Sequence, residues 1–200
     1  MASIRDEIVY NLLNNIYALT DFNIYNNVDE IYAFRKQSVL ANKSLTKDEK
    51  SEAIRLLNKY HDRDKLIYNE GTKRICEDCQ LECLATLFCE NCVQNYLKAN
   101  FSNRTSKNDE IDNLIHKCQM EILGPDLIVE WISYNNLQNI NYFTKGGCSE
   151  IYTADWIDRA YSEWDSKEKQ LKRTVPRKVI LKMLKNVEKA NRSWFDEVCN

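Results

Sequence analysis

"KGGCSEIYTADW", residues 145–156, is the stretch on which the reading of this chain turns. The sequence contains four glycines, and two of them, Gly146 and Gly147, stand together at the start of a run in which polar and apolar residues alternate. Glycine lets a backbone N–H approach a ligand closely because no Cβ intervenes, so the pair suits a loop that cradles phosphate. It equally suits an ordinary hairpin turn. A second strand-like run, residues 179–184, sets Lys182 behind Val179, Ile180 and Leu181. A lysine in an apolar strand is costly to bury unless its ammonium faces an anion, which makes Lys182 the expected counter-charge to a phosphate held under the glycines.

Upstream, the periodicity is helical. Ile4, Ile8, Val9, Leu12, Leu13 and Ile16 form one stripe, and Ile31, Tyr32, Phe34, Val39 and Leu40 a shorter one. Thr46 followed three residues later by Glu49 reads as a capping box, opening a helix through Ala53, Ile54, Leu57 and Tyr60 toward Ile67. Residues 1–70 therefore read as a helical bundle. Further helices are expected over 93–100 and from Asn108 or Asp109 to Ile122, closed by Gly124 and Pro125. Beyond them the period shortens toward two through Val129, Trp131, Ile140, Tyr142, Ile151 and Tyr152, which predicts a small sheet. The charge-rich residues 157–177 read as an exposed loop between its second and third strands, and the third strand, around Val179 and Leu181, as an exposed edge.

Five cysteines, Cys76, Cys79, Cys83, Cys89 and Cys92, fall between these parts. C-E-D-C at 76–79 and C-E-N-C at 89–92 are two C-x-x-C knuckles, each with the bite a tetrahedral zinc accepts at about 2.3 Å per sulfur. Cys76, Cys79, Cys89 and Cys92 are the expected ligands of a structural zinc, with Cys83 a substitute ligand in reserve. Four thiolates leave no open position for water, so such a metal serves folding rather than catalysis. A redox C-x-x-C pair and free buried thiols are the competing readings.

Composition excludes some partners. Lysine and arginine number 28 against 30 acidic residues, a net charge of −2, and Glu77, Asp78, Glu82 and Glu90 flank the knuckles. Neither nucleic acid nor an anionic membrane is the expected partner. The opening MASIRDEIVY carries charges where a secretion signal needs an apolar core, and no run of about eighteen apolar residues occurs. A cytoplasmic, reducing location is expected, which favours metal over a disulfide framework.

K-G-G-C-S-E-I-Y-T-A and V-I-L-K resemble the glycine-rich loop and lysine strand of a protein kinase amino-terminal lobe. The wider order, C-x-x-C twice, then I-D-N-L-I, E-W-I-x-Y-N-N-L, K-G-G-C-S-E-I-Y-T-A-x-W and E-W-D-S-K-E, resembles an expanded fungal family of kinase-like proteins. In these a helical leader and a cysteine-knuckle module precede the kinase domain, and the likeness runs from about residue 28 onward. It implies an α+β chain: a helical leader (1–70), a four-cysteine zinc-knuckle module with helices (71–124) and a partial kinase lobe with an antiparallel sheet (125–200). It implies ATP with Mg, bound by Gly146, Gly147, Ser149 and Ile151, with Lys182 on the phosphates and Glu197 paired to Lys182. Thr144 and Ser149 stand where two glycines are usual, and Ile180 where a small residue makes room for adenine. No catalytic loop or D-F-G follows Lys182, so these 200 residues alone are expected to bind nucleotide without transferring phosphate. The run HDRDKLIYN at 61–69 imitates a catalytic loop, but His61, Asp64 and Asn69 read as solvated helix surface, and His116 as structural. The alternative function is a non-catalytic protein-interaction module built on the leader and the zinc knuckle.

Overall fold

A computed structural model describes residues 4–101, 106, 108–146, 149–175 and 177–184. Among them the chain is α+β, with five helices and seven strands, and no helix is long and apolar enough to cross a membrane. It divides into two compact units, Met1–Cys92 and Val93–Asn200, so the division falls at neither of the expected boundaries, 70/71 and 124/125.

In the first unit, α1 (Asp6–Ala18), α2 (Val28–Ala41) and α3 (Lys47–Tyr68) bring their apolar stripes together. Val9, Leu13 and Ile16 of α1 meet Val39, Ala53 and Leu57, all foreseen from periodicity, and Leu45 and Leu56, which were not, in one buried cluster. The Thr46–Glu49 capping box forms as the sequence predicts, and α2 carries a cap that the sequence reading did not name. Asn27 accepts from the Glu30 N–H at 2.9 Å, and Thr46 and Glu49 exchange reciprocal bonds of 3.3 and 2.8 Å. Glu49 does more than cap. Arg5, at the start of α1, donates to both of its carboxylate oxygens at 2.7 and 3.0 Å, joining two helix starts 44 residues apart. Arg35 of α2 is buried with its guanidinium 3.7 Å from the Tyr17 ring centroid.

His61 and Asp64 are not solvated helix surface. His61 stacks on Tyr32 at 4.2 Å between centroids, and its Nε2 lies 2.9 Å from Asp29 Oδ1, while Asp64 faces Arg35 at 3.9 Å. The other oxygen of Asp29 accepts from the N–H and hydroxyl of Thr72, tying the segment after α3 back onto α2. That segment turns at Gly71, whose φ of +104° is a glycine conformation, and a Cβ there would meet Lys65 and Val28 atoms at 3.0 Å. Only Asn69, in the left-handed region at the end of α3, is exposed as expected.

The second unit takes up most of α4 (Glu90–Asn100), together with α5 (Asp109–Met120), whose Asn108 cap accepts from the Glu110 and Ile111 N–H groups. Val129 and Trp131, expected in a strand, lie in an irregular segment between two short 3-10 turns. The Gln119 side chain meets the Val129 carbonyl there at 2.8 Å, in place of a ladder bond. β3 (Leu137–Lys145), β4 (Ser149–Trp156) and β7 (Arg177–Leu184) form an antiparallel sheet in the order β3-β4-β7. The expected exposed loop at 157–177 contains a hairpin of β5 (Tyr161–Asp165) and β6 (Gln170–Arg173). Asp165 accepts from the Lys167 and Glu168 N–H groups, Lys169 takes positive φ, and Tyr161 and Leu171 are buried. Arg173 completes the hairpin, donating to Glu130 at 2.6 Å with its guanidinium 3.9 Å from the Tyr161 ring.

Arg5 and the Thr46 N–H hold the Glu49 carboxyl at about 2, below its ordinary 4.5. A depressed carboxylate contributes stability that is complete above the ordinary value and lost as pH falls toward the folded one. The stability difference between the wild type and Glu49→Gln, read from denaturant midpoints, is therefore expected to be constant at neutral pH and to shrink from about pH 4.5 toward pH 2. A pH-independent difference would contradict this assignment.

Candidate functional site

The cysteine cluster is assembled by a minimal set of elements. β1 (Arg74–Ile75) and β2 (Glu82–Cys83) pair antiparallel, and the turn between them carries Cys76 and Cys79. The turn closes through Cys76 N–H to Leu81 C=O and Gln80 N–H to Cys76 C=O, both 2.9 Å, with Gln80 at a φ of 59°. Of the second pair, Cys89 immediately precedes α4 and Cys92 lies in its first turn, where free backbone N–H groups favour negative sulfur.

All four sulfurs lie within 4.8 Å of one another, with Cys76 to Cys92 at 3.7 Å and Cys79 to Cys89 at 3.6 Å. A tetrahedron with bonds of about 2.3 Å has sulfur–sulfur edges of about 3.8 Å, so the donor set fits a zinc-sized ion closely. The cluster could hold a metal ion, and Cys76, Cys79, Cys89 and Cys92 are the residues that would hold it. Protonation follows the surroundings of each thiol. The Cys79 N–H, with that of Asp78, brings Cys76 down to about 7, whereas burial pushes Cys89 up to about 12 and Cys92 upward as well. Sulfurs this close resist joint ionisation unless a cation compensates them. The five clustered cysteines are free, whereas Cys118, on α5, is disulfide-bonded, so the expectation of reduced thiols does not extend to it.

The loop between the hairpin and α4, residues 84–88, is held from three sides. Asp62, on α3 and 1% exposed, accepts from the Thr86 N–H at 2.7 Å, the Thr86 hydroxyl at 2.6 Å and the Leu87 N–H at 2.8 Å. Arg74 donates to the carbonyls of Ala85 and Phe88 at 2.9 and 2.6 Å. Glu90 Oε1 accepts from the Leu84 and Ala85 N–H groups at 2.8 and 3.0 Å. Sequence reasoning missed Asp62, because it sits in a run of charges, HDRDK, with nothing to mark one acid as buried.

The other expected site is partly placed. The Gly146 N–H donates to the Ser149 carbonyl at 2.8 Å where β3 turns toward β4, and Ser149 is buried. Ile151 pairs directly with Lys182 across β4 and β7. Lys182 itself is exposed, which corrects the expectation of a buried ammonium: β7 is flanked only by β4 among the described strands, so the side chain reaches water without crossing the core. Ile180 is 64% exposed on the same face. Gly147 and Glu197 lie outside the described residues.

No family model, curated protein or solved structure matches the chain.

Asp62→Ala leaves three donors of the loop without their acceptor and is expected to destabilise the protein by about 3 kcal/mol, measured by denaturant unfolding. A loss under about 1 kcal/mol would show that water replaces the carboxylate there. Chelation of the metal-loaded protein is expected to lower the thermal midpoint and to accelerate amide exchange over residues 74–92, both restored by zinc. Exchange unchanged by the chelator would count against a metal-dependent knuckle.

Proposed function

We propose that this is a protein kinase-like protein whose β3-β4-β7 sheet takes Mg·ATP and whose four-cysteine cluster holds a structural zinc. The observation that carries the nucleotide reading is the register of β4 against β7, which sets Lys182 directly across from Ile151, two residues beyond Ser149 at the glycine turn. On a twisted antiparallel sheet, cross-strand partners project to the same face. Ile151, Ile180 and Lys182 thus share a face, as an apolar platform for a base beside a cation for phosphates requires. The glycine at 146 also fits. A Cβ there would make only ordinary contacts of 3.5 and 3.7 Å with Ser149, so the fold does not itself demand a bare backbone. A ligand that approaches the N–H closely would.

Bound to this face, Mg·ATP would supply the transferable phosphoryl group. Lys182 would hold its phosphates, Gly146 and Gly147 would leave room over them, and Ile151 would meet the base. Phosphotransfer further needs carboxylates that hold Mg and orient the accepting hydroxyl. None of the residues assigned here supplies them, so the activity proposed for these residues is nucleotide binding.

A protein-interaction module is the second reading, favoured by the exposure of Ile180 and Met183 on β7, an edge strand among those described. Thermal unfolding with and without Mg·ATP separates the two. Nucleotide at about a hundred times its Kd should stabilise the wild type by about 2.7 kcal/mol. Lys182→Met should abolish that response while leaving the unliganded protein within about 0.5 kcal/mol, because the side chain is exposed. Absence of stabilisation in the wild type would leave the interaction reading standing.

A further inference from the structure

We propose that Cys83, Cys89 and Glu90 form a second site for a thiophilic divalent cation, zinc or cadmium, joined to the first through the shared sulfur of Cys89. The inference rests on the metal reading of the four-cysteine cluster and extends it. The ligand atoms of these three residues lie within 4.8 Å of one another, with Cys83 and Cys89 buried.

The decisive atom is Glu90 Oε2. While Oε1 is occupied by the Leu84 and Ala85 N–H groups, Oε2 is buried and has no hydrogen-bond partner. The nearby guanidinium of Arg74 does not meet it with a hydrogen bond, being turned to the carbonyls of Ala85 and Phe88. A buried carboxylate oxygen without a donor is destabilising, and a bound cation would compensate it. Cys83 is the matching surplus. The tetrahedron at the first site is complete without it, and its sulfur lies 3.6 Å from the Arg74 carbonyl and beside the Cys89 side chain.

The donor types select the ion. Two sulfurs and one carboxylate oxygen suit a borderline-soft metal and not magnesium or calcium, which favour oxygen ligands only. A thiolate keeps lone pairs after binding one metal, so Cys89 can bridge two. Three protein ligands leave the fourth position of this second ion to water, unlike the closed first site.

Metal stoichiometry tests the site in the full chain. Protein stripped by a chelator under reducing conditions is titrated with zinc and weighed by native mass spectrometry. The wild type is expected to take two ions, and Cys83→Ser and Glu90→Gln one each. The amide oxygen introduced by Glu90→Gln can still accept from Leu84 and Ala85, and unchanged circular dichroism would confirm that both variants fold. One ion in the wild type, or two retained in both variants, would overturn the second site while leaving the first. No bound ion in the wild type would overturn both.

Discussion

A single buried carboxylate organises the first unit. Asp62 reaches out of α3 and collects three donors from residues 86 and 87, so the loop that delivers Cys89 is anchored to the helical leader and not only to its own hairpin. A short hairpin of two-residue strands buries too little apolar surface to hold itself, so it leans on neighbouring structure. Here Asp62, Arg74 and Glu90 satisfy the loop's N–H and C=O groups in place of a sheet. This explains why the leader and the first three candidate ligands, expected as separate parts, lie with Cys92 in one compact unit.

The cluster also illustrates a conflict between proximity and charge. The two pairs of sulfurs that approach within 3.7 Å are drawn together by a tight turn and a helix start, each supplying N–H groups that favour thiolate. Burial opposes ionisation at Cys89 and Cys92. A bound cation would resolve the conflict by compensating all of them at once.

The sheet of the second unit depends on register, not on burial. Lys182 is exposed, so no desolvation penalty compels it toward an anion. What places it is the uninterrupted pairing from Ser149↔Leu184 to Trp156↔Arg177, since a slip of one residue would move Lys182 to the opposite face from Ile151. The insert between β4 and β7 leaves this register intact because it folds on itself as a hairpin, with Tyr161 and Leu171 turned inward.

The helices of the leader, the cap of the third and the four candidate ligands were legible in residue order. Helical periodicity, the Thr46–Glu49 box and the C-x-x-C spacing are local, involving residues within a turn or two of one another. The hairpin at 161–173 was not legible, because its two inward residues are outnumbered by charged neighbours that a turn and an ion pair accommodate. Nor was the role of Asp62, or the pairing of Asp29 with His61, or the solvent exposure of Lys182. Each of these depends on which distant segment arrives beside a polar side chain. A one-dimensional pattern records which residues want to be covered; only the folded chain settles which charges gain partners and which are left to water.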